Sequence, residues 1–196
     1  MFPEVNFELP AWIEEVVGDP ERVYPTEEDR MRLAVELSRL NVEHGTGGPF
    51  GSAVFDLDTK RLVAPGVNLV TSAGCSIAHA EMVAIMVAQC AIGSFDLGGP
   101  SQPIRELVAS TEPCAMCFGA TPWSGVRKLV CGARDEDARS IGFDEGPKLP
   151  DWKAALEERG IEVSRDVLRE DAASVLRHYA ESGGEIYNSR QGVGGR

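Results

Sequence analysis

The chain has 196 residues, 43% of them hydrophobic and 26% charged, which suits one globular domain around a single core. Its 31 acidic and 19 basic residues leave a formal charge of −12. That charge argues against a nucleic-acid partner, whose phosphates are bound mainly by Lys and Arg. No apolar run nears the roughly 20 residues of a membrane helix, so no membrane partner is expected either.

Residues 1–25 form an acidic N-terminal extension without the basic start of a secretory signal. A short helix is predicted after Pro10, with Trp12, Ile13, Val16 and Val17 on one face and Gly18 as its stop. Thr26 opens a longer helix striped by Met31, Leu33, Ala34, Leu37 and Leu40, which ends at His44-Gly45. Residues 52–56 and 61–69 read as strands joined by a tight turn at Asp58-Thr59-Lys60. Residues 78–92 are almost wholly apolar after Glu81 and read as a buried helix closed by Gly93. A strand at 104–110 follows, then a helix with Pro113 in its first turn, then a strand at 127–131. A helix at 152–159, a strand at 161–164 and a helix at 167–181 complete the series. This alternation predicts an α/β fold over residues 26–185, a three-layer α/β/α sandwich on a mixed five-stranded sheet. Residues 186–196, Gly-rich at their end, are expected to form a flexible tail.

Two short motifs carry the chemistry: His79-Ala80-Glu81 and Pro113-Cys114-Ala115-Met116-Cys117. His79, Cys114 and Cys117 supply three of the four ligands zinc prefers and leave one position open, as catalytic zinc sites do. Glu81 is then free for proton transfer. Each motif opens a predicted helix, whose free N–H groups and positive end favour thiolates and developing anions. The C-x-x-C pair alone also fits a redox couple or half of a structural zinc site, which Cys131 would close. Cys75, Cys90 and Cys131 have apolar or small neighbours, however, and read as buried small hydrophobes. Five cysteines without an export signal point to a reducing compartment, taken here as the cytoplasm.

On these motifs, residues 26–150 resemble the cytidine deaminase-like superfamily of zinc deaminases. Gly47-Gly48-Pro49-Phe50-Gly51, the stretch around Asn68 and the run from Thr111 to Val126 are similar to one branch of it. That branch holds guanine deaminases and bacterial tRNA adenosine deaminases. Ser140-Ile141-Gly142-Phe143-Asp144-Glu145 resembles the Gly-Phe-Asp-Asp segment of the guanine deaminases, with Glu145 at the final acidic position. The resemblance implies zinc-dependent hydrolysis of guanine to xanthine and ammonia, with Glu81 shuttling protons and Glu145 assisting at the amine. It further implies that Asn68 reads the purine edge and that Phe50, Trp123 and Phe143 stack on the base. The peptide N–H groups of Ala80 and Cys114 become anion donors. Trp123 is the favoured aromatic because it follows directly on the cysteine helix.

A homodimer is also implied, with residues 151–185 the candidates for exchange between subunits. Glu145 has a rival reading as part of a solvated acidic loop with Asp135, Glu136 and Asp137. Rival functions are deamination of cytosine or an aminotriazine, and of tRNA adenosine, which the charge and Glu145 disfavour. A non-catalytic module with a closed zinc site is the rival from outside enzymology.

Overall fold

The computed structural model describes Phe2 and residues 6–188. Its strands are β1 (Gly51–Asp56), β2 (Arg61–Val67), β3 (Arg105–Thr111), β4 (Lys128–Ala133) and β5 (Glu162–Ser164). Its helices are α1 (Trp12–Val17), α2 (Glu27–Glu43), α3 (Ala80–Ile92), α4 (Ala115–Ser124), α5 (Asp135–Ser140), α6 (Trp152–Glu157) and α7 (Arg169–Glu181). The strands form one sheet in the order β2-β1-β3-β4-β5. β1 runs antiparallel to β2 and β3, whereas β4 runs parallel to β3 and β5. This is the mixed five-stranded sheet expected from the alternation of elements.

Because strand side chains alternate between faces, β1–β4 each contribute to two separate cores. Val54, Leu107 and Leu129 pack with Ala84, Ile85 and Ala88 of α3 and with Trp152 and Leu156 of α6. Ala53, Phe55, Val108 and Val130 face the other way, against Met31, Leu33 and Leu37 of α2. The three layers follow from that division. Central β3 is buried at every residue, so its far end can form the floor of a site shielded from water. α2 starts on a reciprocal cap: Asp29 N donates to Thr26 Oγ1 at 3.1 Å, and Thr26 N donates to Asp29 Oδ2 at 3.1 Å.

The N-terminal extension packs onto this domain. Ile13 enters the α2 core, and Trp12 stacks on His44 with ring centroids 5.3 Å apart. Arg30 is buried, donates to the carbonyls of Tyr24 (2.8 Å) and Pro25 (3.1 Å), and pairs with buried Glu106. At the other end, β5 pairs with β4 of the same chain and α7 lies beside α2 and β4.

Several expectations are revised. Residues 135–140 are helical rather than an acidic loop, with Asp135, Glu136 and Asp137 at the positive end of α5. Six residues are too few to show a helical period in sequence. β2 ends at Val67, which releases Asn68 and Leu69 from the sheet. Cys131 is buried as expected, but Cys75 is half-buried and Cys90 is exposed on the outer side of α3. The flexible tail does not begin at residue 186, because Ile186 and Tyr187 pack against Phe143. Residues 189–196, including the Gly-rich end, lie outside the described residues. Among the described residues, no helix is long and apolar enough to cross a membrane.

Candidate active site

His79 and Cys114 occupy the same structural position on different helices. Each is the N-cap residue, His79 of α3 and Cys114 of α4, with extended backbone just before the first turn. Pro113 therefore sits one residue outside the helix rather than in its first turn. Cys117 lies in that first turn, and its N–H points at the Cys114 sulfur, 3.5 Å away. The two helix starts bring together three donors from segments 35 residues apart in the chain.

The donor set fits zinc. His79 Nδ1 is 3.5 Å from Cys114 Sγ and 3.7 Å from Cys117 Sγ. Tetrahedral zinc, bonded to nitrogen at about 2.05 Å and to sulfur at about 2.3 Å, requires N–S edges of about 3.6 Å. Among the described residues this is the only such group of three His, Cys or carboxylate ligands. Cys131 stays apart from it in the α3–α6 core, so the cluster keeps a fourth position open. The two thiols share their protons unequally. A hydrogen bond from Cys117, opposed by burial and reinforced by His79, holds Cys114 down to about 4, the thiolate form that binds metal.

Glu81 is the second residue of α3, 8% exposed, and faces the cluster. Burial pushes its carboxyl up to about 7, and the nearby Cys114 charge adds to the shift. Glu145 comes from the segment after α5 and is 7% exposed, so it is not part of a solvated loop. Burial pushes it up to about 8, with further contributions from Cys114 and Glu81. The Glu81 charge raises Glu145 because like charges in one cavity resist joint ionisation.

The cavity holds about 160 Å³ and is lined by Phe50, His79, Glu81, Phe143, Glu145 and Tyr187, with Ala109–Glu112 at the end of β3 below. A cavity of about 150 Å³ accepts a benzene ring, so this one suits a small flat heterocycle. Phe50 meets Phe143 edge to face with centroids 5.0 Å apart, and Tyr187 meets Phe143 at 5.0 Å. Asn188 clasps the Glu145 segment: its Oδ1 accepts from Asp144 N and its Nδ2 donates to Gly142 O, both at 2.8 Å. Glu145 and Cys114 also border a second opening between Ser76, Met116 and Pro147.

Asn68 is buried next to the cavity wall rather than in it. Its N–H donates to Phe50 O at 3.1 Å, and its Oδ1 accepts from Val70 N at 3.2 Å. Val70 and Phe50 both line the cavity. Ala80 is buried at the first helical position of α3, where backbone N–H groups lack intrahelical partners. Trp123 is a correction. It is 87% exposed and does not line the cavity. α4 starts at the site and runs away from it, so its ninth residue lies roughly 13 Å along the axis. Nearness to the motif in sequence misplaced it. Tyr187 and Asn188 escaped sequence reasoning; an aromatic between Gly183-Gly184 and the final glycines was the one available signal.

The family model for the cytidine and deoxycytidylate deaminase zinc-binding region matches residues 25–133. The chain therefore belongs to that family, and it is a zinc-dependent hydrolytic deaminase. Guanine deaminases are among its relatives. The solved structure of guanine deaminase from Nitrosomonas europaea is 44% identical, with a TM-score of 0.87 over 92% of this chain and 98% of that one. A second structure, of a complex with 2,6-diaminopurine, is 45% identical with a TM-score of 0.88 over 95% and 98%. The guanine deaminase of Bacillus subtilis is 33% identical over 140 residues, 71% of this chain and 85% of that protein.

Proposed function

We propose that the protein removes the exocyclic amine of the free base guanine, yielding xanthine and ammonia. The observation that carries this reading is the second buried carboxylate. Glu145 shares a small aromatic-walled cavity with Glu81 and the three-ligand cluster. Guanine presents two adjacent donors, the ring N1–H and the amine, which one carboxylate accepts together. Its N3, on the other side of C2, needs a proton as the carbon becomes tetrahedral. Two carboxylates can divide that work.

A zinc ion held by His79, Cys114 and Cys117 would supply Lewis acidity that makes water nucleophilic at neutral pH. Glu81 takes a proton from the attacking water as the oxygen–C2 bond forms, and passes it to N3. Glu145 holds N1–H and the amine. The remaining hydroxyl proton passes by way of Glu145 to the amine as the C2–N bond breaks and ammonia leaves. Phe50, Phe143 and Tyr187 bracket the ring and exclude bulk water, and Asn68 fixes the wall carrying Phe50 and Val70. N–H groups at the starts of α3 and α4, including those of Ala80 and Cys114, face the charge that develops at the carbon.

The net charge of −12 and the small volume of the cavity support a free base over tRNA. The five cysteines, all free, support a reducing cytoplasmic setting. We also infer a homodimer. Trp123 and Phe95 are 87% and 85% exposed, on segments joined by the Leu97 N to Ser124 O bond. Residues 152–181 dock on the sheet of their own chain, which supports a dimer formed without exchange.

Glu81→Gln tests the chemistry. The variant should keep its zinc by elemental analysis while ammonia release from guanine falls about 10²- to 10⁴-fold. Turnover at the wild-type rate would remove Glu81 from the mechanism. A screen over guanine, cytosine, aminotriazines and adenosine in tRNA identifies the substrate, and turnover of another substrate in preference to guanine would overturn the assignment.

A further inference from the structure

Glu145 stands on an irregular segment between α5 and α6, yet the reaction requires it to hold one position over the cysteine helix. A run of fixed contacts supplies that rigidity. The N–H of Ala115, the residue after Cys114, donates to the carbonyl of Glu145 at 2.9 Å. On the far side, Arg139 Nη2 donates to the carbonyl of Gly146 at 3.0 Å. Arg139 Nε is 2.5 Å from Asp135 Oδ2, and the other Asp135 oxygen is 2.9 Å from Lys148 Nζ. Lys148 Nζ closes the circuit by donating to the carbonyl of Pro113 at 2.8 Å, one residue before Cys114.

Lys148 is the centre of this circuit. Its side chain is 7% exposed, and its ammonium also sits 5.0 Å from the centroid of the Trp152 ring. A lysine so buried is retained only when its charge is paired and its donors are used. Asp135 is fixed in turn: its N–H donates to Glu112 Oε2 at 3.2 Å, and Glu112 Oε1 accepts from Arg165 Nε at 2.6 Å. Glu112 lies on the cavity floor. The brace therefore ties the start of the cysteine helix, the end of β3 and the Glu145 segment into one unit.

We propose that Lys148 is a positioning residue for Glu145, acting through the Pro113 carbonyl on one side and through Asp135, Arg139 and Gly146 on the other. The proposal rests on the reading that Glu145 handles the amine. Loss of the brace lets Glu145 drift relative to the metal ligands, and a displacement near 1 Å at a reacting group costs about 10²-fold in rate. Lys148 touches no reacting atom, so its removal acts on kcat and leaves ligand binding by the aromatic walls in place.

A double-mutant cycle tests this with the zinc-loaded full chain and the base that the wild type deaminates. Lys148→Met should lower kcat about 10- to 100-fold with KM within about threefold and zinc content unchanged. In a Glu145→Gln background the same change should cost less than about threefold, because the group it positions is already disabled. Arg139→Gln breaks the circuit at a half-exposed side chain and guards against misfolding of the lysine variant. It should show a smaller kcat loss that likewise vanishes with Glu145→Gln. Losses that multiply in full, or an unchanged kcat in both variants, would overturn the proposal while leaving the assigned reaction standing. A wild-type chain without deaminase activity on any substrate in the screen would overturn both.

Discussion

Gly47 and Gly48 are adjacent glycines with different tolerances. A Cβ on Gly48 would sit 1.9 Å from the Tyr187 hydroxyl, whereas one on Gly47 would sit 1.9 Å from the backbone carbonyl of Asn68. The tyrosine is the end of a side chain and can swing aside; the carbonyl cannot. Asn41 explains why the carbonyl is immobile: its Nδ2 donates to Gly48 O at 2.8 Å and to Asn68 O at 2.9 Å, closing the loop onto the strand end. Gly48→Ala is therefore expected to displace Tyr187 from over the cavity. KM should rise about tenfold, the scale of one lost wall contact, with the melting temperature within a few degrees of wild type. Steady-state kinetics and a thermal melt decide it. An unchanged KM would mean that Tyr187 contributes nothing to base binding. Tyr187 and Asn188 were illegible in the sequence because their place at the cavity depends on contacts more than 40 residues away, as in the Asn188–Asp144 bond.

The short helix α5 shows how an element is held by its neighbours rather than by propensity. Arg169 of α7 grips Asp137 with two bonds, Nε to Oδ2 at 2.9 Å and Nη2 to Oδ1 at 3.0 Å. Asp137 Oδ2 also accepts from Arg134 N at 2.8 Å, which caps the helix. The Arg169 hydrogen bond, together with that from Arg134, holds the Asp137 carboxyl below its usual value. A carboxylate whose folded pKa is depressed stabilises the fold above its unfolded value near 3.8, and that stability is lost as pH falls through the folded value. Because the pair is partly exposed, it is worth only about 1 kcal/mol, or roughly 2–4 °C in a chain of this size. Asp137→Asn should lower the melting temperature by about that amount at pH 7, and the gap to wild type should close below pH 4. A gap of equal size at pH 3 would assign the effect to packing instead of charge. The acidic run at 135–137 was visible in sequence as charge; its helical form and its partner on α7, 32 residues on, were not.

At the scale of the molecule, the exposed Trp123 becomes informative. Trp123, 87% exposed at the end of the cysteine helix, lies on a segment bonded to the one carrying Phe95, 85% exposed, and a second copy of the chain is the proposed cover of the pair. Trp123→Glu should convert the proposed dimer to monomer in sedimentation velocity while zinc content is retained. A wild-type chain sedimenting as a monomer would sink the proposal directly. Much of the architecture was legible in sequence because it rests on local periodicity. The strand alternation placed the sheet, apolar runs placed α2 and α3, and ligand chemistry picked out His79, Cys114, Cys117 and Glu81. Those ligands were readable because metal geometry permits few residue types at few spacings. The sequence by itself determined the fold class and the metal donors, and set Glu81 beside them. Only the tertiary structure decided that Glu145 is buried, that Tyr187 covers the cavity, that Trp123 faces away and that Lys148 braces the site. Each of these turns on burial and on contacts between distant segments, and no local spacing encodes either.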